Sequence, residues 1–322
     1  MTEVLPKFEL LTPTTLIDVV AALSKNPDAT ICAGGTDLVV QLRMGLAETK
    51  TLVDISNIAE LKQITKTSVG LRIGAGVTLA DLEANADVAS DYPAIVKAAE
   101  VVAGPTHRAV ATLGGNLCLD TRCLYYNQSH WWRKSNGFCL KYKGDICHVA
   151  PKGNRCRAAY SGDLAPALLV LDAEIEILGE NGTRRIPLAE FYHEDGAQHL
   201  KLEAGEIVVA AHIPPIQSIS DYGKIRVRDS IDFPLAGVAV SCRKTETGEA
   251  CFSVAATGTN SMPVLVTTEE RLTNNVDSDA FFEALGKLVQ KVVSPQRTSS
   301  IAPHYRRLSA AATVIRLAKG LL

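Results

Sequence analysis

Between Arg122 and Cys156 the chain reads RCLYYNQSHWWRKSNGFCLKYKGDICHVAPKGNRC, and this stretch holds four of the eight cysteines and both tryptophans of a 322-residue sequence. A packed core does not concentrate thiols, aromatic rings and lysines in this way. A loop of this length needs its own source of order, so the stretch is either a metal-bearing insert or a disulfide-stapled loop.

The rest of the chain bears on that choice. It is 47% apolar and 21% charged with a net charge of -2, the composition of an ordinary globular protein, without the basic excess that would point to nucleic acid. At this length two or three domains are expected. The start, MTEVLPKFELL, has no basic region followed by an apolar one, and no apolar run reaches bilayer length. The expected location is the cytoplasm, with no membrane partner. Thiols there stay reduced, and clustered cysteines more often bind metal than pair.

The first sixty residues alternate strand-like and helix-like segments. TTLIDVVAALSK has apolar residues at helical spacing, and Thr15 with Asp18 forms a capping-box start. ATICA reads as a strand, LVVQLRMG as a helix and TLVDI as a strand, which favours a small parallel sheet. Further on, LRIGAGVT, EIVVAAHIPP, YGKIRVR, LAGVAVSCRK and ACFSVAATG read as strands. TLADLEAN and YPAIVKAAEVVA read as helices, LAPALLVLDAEIEILG as a helix and then a strand, and the residues after ACFSVAATG as helices to the end.

Two Gly-Gly turns carry the binding signal. In CAGGTDL a strand, a glycine turn and a helix start place backbone N–H groups where they can cradle phosphate. Asp37 is expected to cap that helix. The motif is neither G-x-G-x-x-G nor a Walker sequence. ATLGGNL supplies a second such turn, and two turns from distant segments can meet on one diphosphate. Asp163, in SGDLAP, reads equally as a ribose-hydroxyl contact or as a helix N-cap.

Cys123, Cys139, Cys147 and Cys156 are spaced C-x15-C-x7-C-x8-C, with Cys118 a fifth candidate upstream. Structural zinc usually uses tight C-x2-4-C pairs, which are missing here, although His130 and His148 keep a mixed zinc site open. Wide spacing in an irregular loop suits a [4Fe-4S] cubane better. Arg122, Arg133, Lys134, Lys141, Lys143, Lys152, Arg155 and Arg157 stand against Asp120 and Asp145 in the insert. They read either as charge compensation for an anionic cluster or as a solvated basic face, and Tyr125, Tyr126, Trp131 and Trp132 as a mini-core over the metal. Cys118 is expected to pack as a small hydrophobe, and Cys32, Cys242 and Cys251 to be buried and inert. The remaining histidines, His107, His193, His199, His212 and His304, are scattered, and no acid–base constellation or activated nucleophile stands out.

With these pieces placed, the chain resembles the FAD-binding medium subunits of the xanthine oxidase (molybdenum hydroxylase) family end to end. AGGTDL, TLGGNL, IGAGVT, GDLAPALLVLDA, KIRVRDSIDFPLAGVAV and HYRRLSAAA fall in the family's order. The insert of about forty residues, with DTRCLYYNQSHWW and CLKYKGDICHV, is similar to that of one branch, the β subunits of 4-hydroxybenzoyl-CoA reductases.

The resemblance implies an α+β, p-cresol methylhydroxylase-like FAD-binding fold with a small parallel sheet, an antiparallel sheet and a C-terminal α+β domain. The implied domains are 1–58, 59–217 with the iron–sulfur insert 119–160, and 218–322. Ala33, Gly34, Gly35, Thr36 and Asp37 would face the FAD diphosphate from one side, and Thr112, Gly114, Gly115 and Asn116 from the other. Asp163 would contact the ribose side, Val208 and Lys224 the isoalloxazine ring, and the four cysteines a [4Fe-4S] cluster. Arg228 and Asp232 read equally as a structural ion pair.

The implied role is electron transfer from ferredoxin through the cluster and FAD to a small [2Fe-2S] subunit and a large molybdopterin-binding subunit, in a dimer of heterotrimers. There 4-hydroxybenzoyl-CoA would lose its phenolic hydroxyl as water, and the basic insert would receive an acidic ferredoxin. The alternatives are a flavin subunit acting on another aromatic or heterocyclic substrate and, more distantly, a zinc-stabilised nucleic-acid-binding module.

Overall fold

The alternation at the start of the chain folds into a parallel sheet of β1 (Glu9–Leu11), β2 (Thr30–Cys32) and β3 (Thr51–Asp54), in the order β1-β3-β2. The computed structural model describes residues 5–268, 271–273, 278–297 and 301–322; the four residues with which MTEVLPKFELL begins lie outside these. Helix α1 (Leu16–Lys25) starts as the capping box requires, with Thr15 Oγ1 accepting the Asp18 amide at 3.2 Å and donating to its carboxylate at 2.7 Å. Such a cap contributes about 1 kcal/mol. Its inward residues Val19, Val20 and Leu23 share one apolar cluster with Val53 of β3. Helix α2 (Leu38–Arg43) leads from β2 towards β3.

A five-stranded antiparallel sheet follows. Its strands are β4 (Ile64–Thr67), β5 (Gly70–Gly74), β6 (Glu174–Gly179), β7 (Gly182–Pro187) and β8 (Ile207–Ile213), in the order β4-β5-β8-β6-β7. Central β8 is buried at every residue except His212, whereas edge strand β7 is polar and largely exposed, which blunts the edge. Between β5 and β6 run the short helices α3 (Leu79–Ala84), α4 (Ala86–Asp91), α5 (Pro93–Glu100), α6 (Pro105–Arg108), α7 (Leu113–Leu117), α8 (His130–Ser135) and α9 (Leu164–Leu169). Helix α8 lies inside the cysteine-bearing insert.

The last sheet is β9 (Ile219–Ile225), β10 (Ala236–Lys244), β11 (Ala250–Thr257) and β12 (Val264–Thr267), covered by α10 (Ser278–Val292) and α11 (Pro303–Gly320). Strand β10 shows why its sequence is apolar without alternation. Val238, Val240 and Cys242 enter the core formed with α10 and α11, while Ala239 enters the first core and Ser241 donates to the Val170 carbonyl at 2.8 Å. Both faces are covered, so alternation disappears.

Three details differ from the sequence reading. Strand β12 interrupts what reads as helices to the end; four residues are too few to display a period. YGKIRVR stops being a strand at Ile225, because the Asp232 carboxylate accepts the Val227 and Arg228 amides and turns the chain. Cys242 is buried as expected, but Cys32 and Cys251 are only partly so: Cys32 ends β2 at the mouth of a cleft, and Cys251 points outward from β11. No helix among the described residues is long and apolar enough to cross a membrane.

Candidate functional site

The cleft is built by the close approach of two loops. After β2 the chain passes through Ala33, Gly34, Gly35, Thr36 and Asp37 before α2 begins. Gly35 adopts φ +67°, and a methyl group on Gly34 would overlap the carbonyl oxygen of Val110. The first glycine turn therefore packs directly on the segment entering the second. There Thr112 caps α7, its Oγ1 accepting the Gly115 amide at 3.1 Å, and Asn116 Oδ1 accepts the Leu164 amide at 3.0 Å, fixing the start of α9.

The resulting cleft has a volume of about 710 Å³, within the ~300–1,000 Å³ common for cofactor sites. Every FAD-contact residue implied by the resemblance lines it: Ala33, Gly34, Gly35, Thr36, Asp37, Thr112, Gly114, Gly115, Asn116, Asp163, Val208 and Lys224. Residues from five separate parts of the sequence are thus brought to one place.

Neither Asp37 nor Asp163 caps the helix that follows it. Asp37 makes no cap bond to α2, its backbone being already helical; its carboxylate accepts from Gln41 Nε2 at 2.5 Å and pairs with the Arg122 guanidinium of the insert. Asp163 also stands at a helix start without capping it. It is 3% exposed and accepts from Tyr222 Oη at 2.6 Å and Lys224 Nζ at 2.9 Å. Burial pushes its carboxyl up, while the ammonium and the phenol pull against that shift. Arg228 and Asp232 do form an ion pair, at 3.2 Å.

Several cleft residues escaped the motif reading: Cys32, Gln41, His107, Arg122 and Phe233. His107 Nδ1 and Arg122 Nε are buried there without a hydrogen-bond partner among the described residues. Arg122 also lies 4.9 Å over the Phe233 ring, and burial pushes its guanidinium down to about 10, so it remains a cation at neutral pH. Polar atoms left open beside a glycine-lined wall suit an elongated cofactor carrying phosphates. Cys118, a possible substitute for Cys123 in the sequence, lines this cleft instead, and burial pushes its thiol up to about 12.

In the insert all four candidate cysteines are free thiols, so no disulfide staples the loop. Cys139, Cys147 and Cys156 are buried and Cys123 partly so. They converge closely enough to act on one another: charge on Cys139 and Cys147 is felt at Cys123, and charge on Cys147 and Cys123 at Cys156. Burial pushes the Cys123 thiol up and the Cys156 thiol up to about 12. Yet among the described residues no three His, Cys, Asp or Glu side chains are gathered as donors to a single metal ion. His148 Nε2 meets the Phe138 carbonyl and its ring lies 5.1 Å from Tyr125, while the His130 ring packs on Phe138.

Of the four rings expected in a mini-core only Tyr126 joins the apolar cluster, while Tyr125 and Trp132 contact each other beside it. Tyr126 and Cys139 pack with Leu46, flanked by Met44, Cys123 and Tyr142, and Tyr126 Oη donates to the Leu46 carbonyl at 2.7 Å. Trp131 instead is 75% exposed. The basic face is also thinner than its composition suggests. Arg122 pairs with Asp37, Arg155 with Glu194, and Lys141 with Asp120 at 2.7 Å, while Arg133 is buried; Lys134, Lys143 and Lys152 are exposed.

A parallel sheet and an antiparallel sheet flanking a glycine-walled cleft define a flavin-nucleotide-binding protein of α+β class. The sequence profile described as FAD binding domain in molybdopterin dehydrogenase matches residues 6–216, and the chain belongs to that family of FAD-binding subunits. It is 34% identical over 233 residues to the xanthine dehydrogenase FAD-binding subunit of Escherichia coli O157:H7, covering 71% of this chain and 66% of that one, just under two thirds. It is 36% identical to the aldehyde oxidoreductase FAD-binding subunit PaoB of Escherichia coli K12, over 68% of this chain and 73% of that one. A structure of carbon monoxide dehydrogenase from Hydrogenophaga pseudoflava superposes with a TM-score of 0.78 at 21% identity, over 99% of this chain and 98% of its counterpart. That likeness speaks for the fold alone, and it bears out the expected α+β architecture.

Proposed function

We propose that this chain is the FAD- and [4Fe-4S]-carrying electron-transfer subunit of a molybdenum enzyme that reductively dehydroxylates 4-hydroxybenzoyl-CoA. The observation that carries the reading is the convergence of Cys123, Cys139, Cys147 and Cys156 in an insert anchored to the FAD cleft through Arg122 and Asp37. When bound, FAD exchanges electrons singly or in pairs and an iron–sulfur cluster exchanges them one at a time, which suits a relay between a one-electron donor and a two-electron reaction.

The chain's own residues supply binding and insulation. The backbone of Ala33 to Asp37 and of Thr112 to Asn116 would face the diphosphate, Asp163 the ribose side, and Val208 and Lys224 the ring. Lys224 is held in place by Asp163 and by the Val101 carbonyl at 3.0 Å. The buried thiols give up their protons on metal binding, as thiolate ligands do. The division 1–58, 59–217 and 218–322 is kept as part of the proposal, supported by one sheet falling in each segment.

The partners would be a large molybdopterin-binding subunit and a small [2Fe-2S] subunit in a dimer of heterotrimers, with ferredoxin as donor, in the cytoplasm. The word "medium chain" in the name of the Hydrogenophaga pseudoflava carbon monoxide dehydrogenase relative supports such a division of labour. Exposed Lys134, Lys143 and Lys152 with Trp131 offer a donor surface on the insert. Co-expression with both partner subunits and anaerobic assay tests the substrate. Dithionite-driven conversion of 4-hydroxybenzoyl-CoA to benzoyl-CoA is expected. Oxidation of xanthine or an N-heterocycle, with no dehydroxylation, would instead place the chain in another molybdenum hydroxylase.

A further inference from the structure

The insert buries more positive than negative charge. Arg133 is 2% exposed, and its Nε and Nη1 are buried with no hydrogen-bond partner among the described residues; only Nη2 is engaged, with the Gly45 carbonyl. The guanidinium lies 4.6 Å from the Tyr142 ring and 5.5 Å from the Tyr126 ring. Cys139 and Cys123 belong to the same small apolar cluster as these two rings. On Tyr126 a second cation approaches, Lys141 Nζ at 4.6 Å, and its side chain is 6% exposed.

The carboxylates nearby do not balance the pair. Asp120, 30% exposed, bonds Lys141, and Glu48, 66% exposed, sits at the rim, accepting from Tyr142 Oη at 2.5 Å. Arg133 itself has no carboxylate partner among the described residues, and the hollow that it lines with Cys139 has no room for a water. A guanidinium in such a place is strongly unfavourable unless an anion compensates it.

We propose that Arg133, seconded by Lys141, is the fixed charge that sets the reduction potential of the four-cysteine centre. The inference rests on the iron–sulfur reading above. Reduction adds one electron from a one-electron reductant, breaks no bond and moves no proton. It takes a four-thiolate [4Fe-4S] centre from a net charge of 2− to 3−. A buried cation stabilises the more negative state, and screening is weak away from water. Arg133 is therefore a tuning residue, with two buried N–H groups that no other group engages among the described residues.

The test is an anaerobic redox titration of the full chain with its partner subunits, using dithionite and mediators, with the cluster read by EPR and iron and flavin quantified. Arg133→Gln is expected to lower the equilibrium constant for cluster reduction tenfold or more, which is about 59 mV for a one-electron couple. Arg133→Lys, which keeps the charge, is expected to recover most of that shift. Asp120→Asn, which removes a negative charge, is expected to move the potential the opposite way. A full cluster with unchanged potential in Arg133→Gln overturns the inference, as does an equal fall in Arg133→Lys. If Arg133→Gln yields no cluster, the sign of the Asp120→Asn shift decides, and a fall or no change there overturns it. Flavin without iron in the unaltered chain is a different result, and it sinks the iron–sulfur reading itself.

Discussion

Arg122 and Asp37 form an ion pair that ties the cysteine-bearing insert to the first glycine turn of the FAD cleft. Arg122 immediately precedes Cys123, and Asp37 immediately precedes α2, so one contact links the two candidate cofactor sites. Removing one side should loosen both. Arg122→Ala is expected to weaken FAD retention about tenfold, roughly the 1.5 kcal/mol of a charged hydrogen bond. Flavin release followed by fluorescence measures this, and release at the unaltered rate would detach the insert from the flavin site.

The first glycine turn makes a steric prediction. Gly34→Ala places a methyl group on the Val110 carbonyl, so the two loops must separate. Overpacking of this kind costs ~1–3 kcal/mol. The purified variant should carry little FAD and melt several degrees lower. A variant with full flavin content would show that the loops are not held at this distance.

How much of this was legible in the sequence depends on the range of the interaction. Thr15 and Asp18 are three residues apart, and their capping box is as expected. The glycine turns were legible because no other residue fits so close a backbone approach, and the resemblance brought twelve residues from separate segments to one cleft. Asp37 read as a cap because its position suits one, but a partner 85 positions away claims its carboxylate. Arg133 read either as charge compensation for a cluster or as part of a solvated basic face, and its burial beside two tyrosines excludes the solvated face. Neither fact leaves a local period, so each needed the tertiary structure. His107 lies in no motif, and only the fold places it in the cleft.

The Asp163–Lys224 pair supplies a stability test, since both side chains are nearly inaccessible, at 4% and 2% exposure. Lys224→Met strands a buried carboxylate and is expected to cost ~3–5 kcal/mol. The double change Asp163→Asn with Lys224→Met should cost distinctly less, because no lone charge remains. Urea unfolding of the unaltered chain, the two single variants Lys224→Met and Asp163→Asn, and the double variant gives the coupling, and simple additivity would contradict the pairing.

His199 sets an acid limit. Burial pushes its imidazole down to about 4, although Nε2 contacts the Leu119 carbonyl at 2.9 Å. Its folded pKa therefore lies below the ordinary value near 6.5, and the unfolded chain binds the proton more readily between the two. Its contribution to stability is complete above about pH 6.5 and falls by up to roughly 1.4 kcal/mol per pH unit towards pH 4. His199→Gln should flatten the stability profile across that window. An unchanged acid slope would assign the loss to other groups.

The central claim is that the insert holds an iron–sulfur cluster beside FAD, and metal analysis with EPR tests it most directly. The chain is purified anaerobically, its iron, zinc and flavin are quantified, and spectra are recorded before and after dithionite. The account predicts flavin with about four irons and a reduced S = 1/2 signal, as a four-thiolate [4Fe-4S] centre requires. That iron should be lost in Cys139→Ser and kept in Cys118→Ser. Flavin with zinc and no iron, or iron lost on changing Cys118, would contradict it.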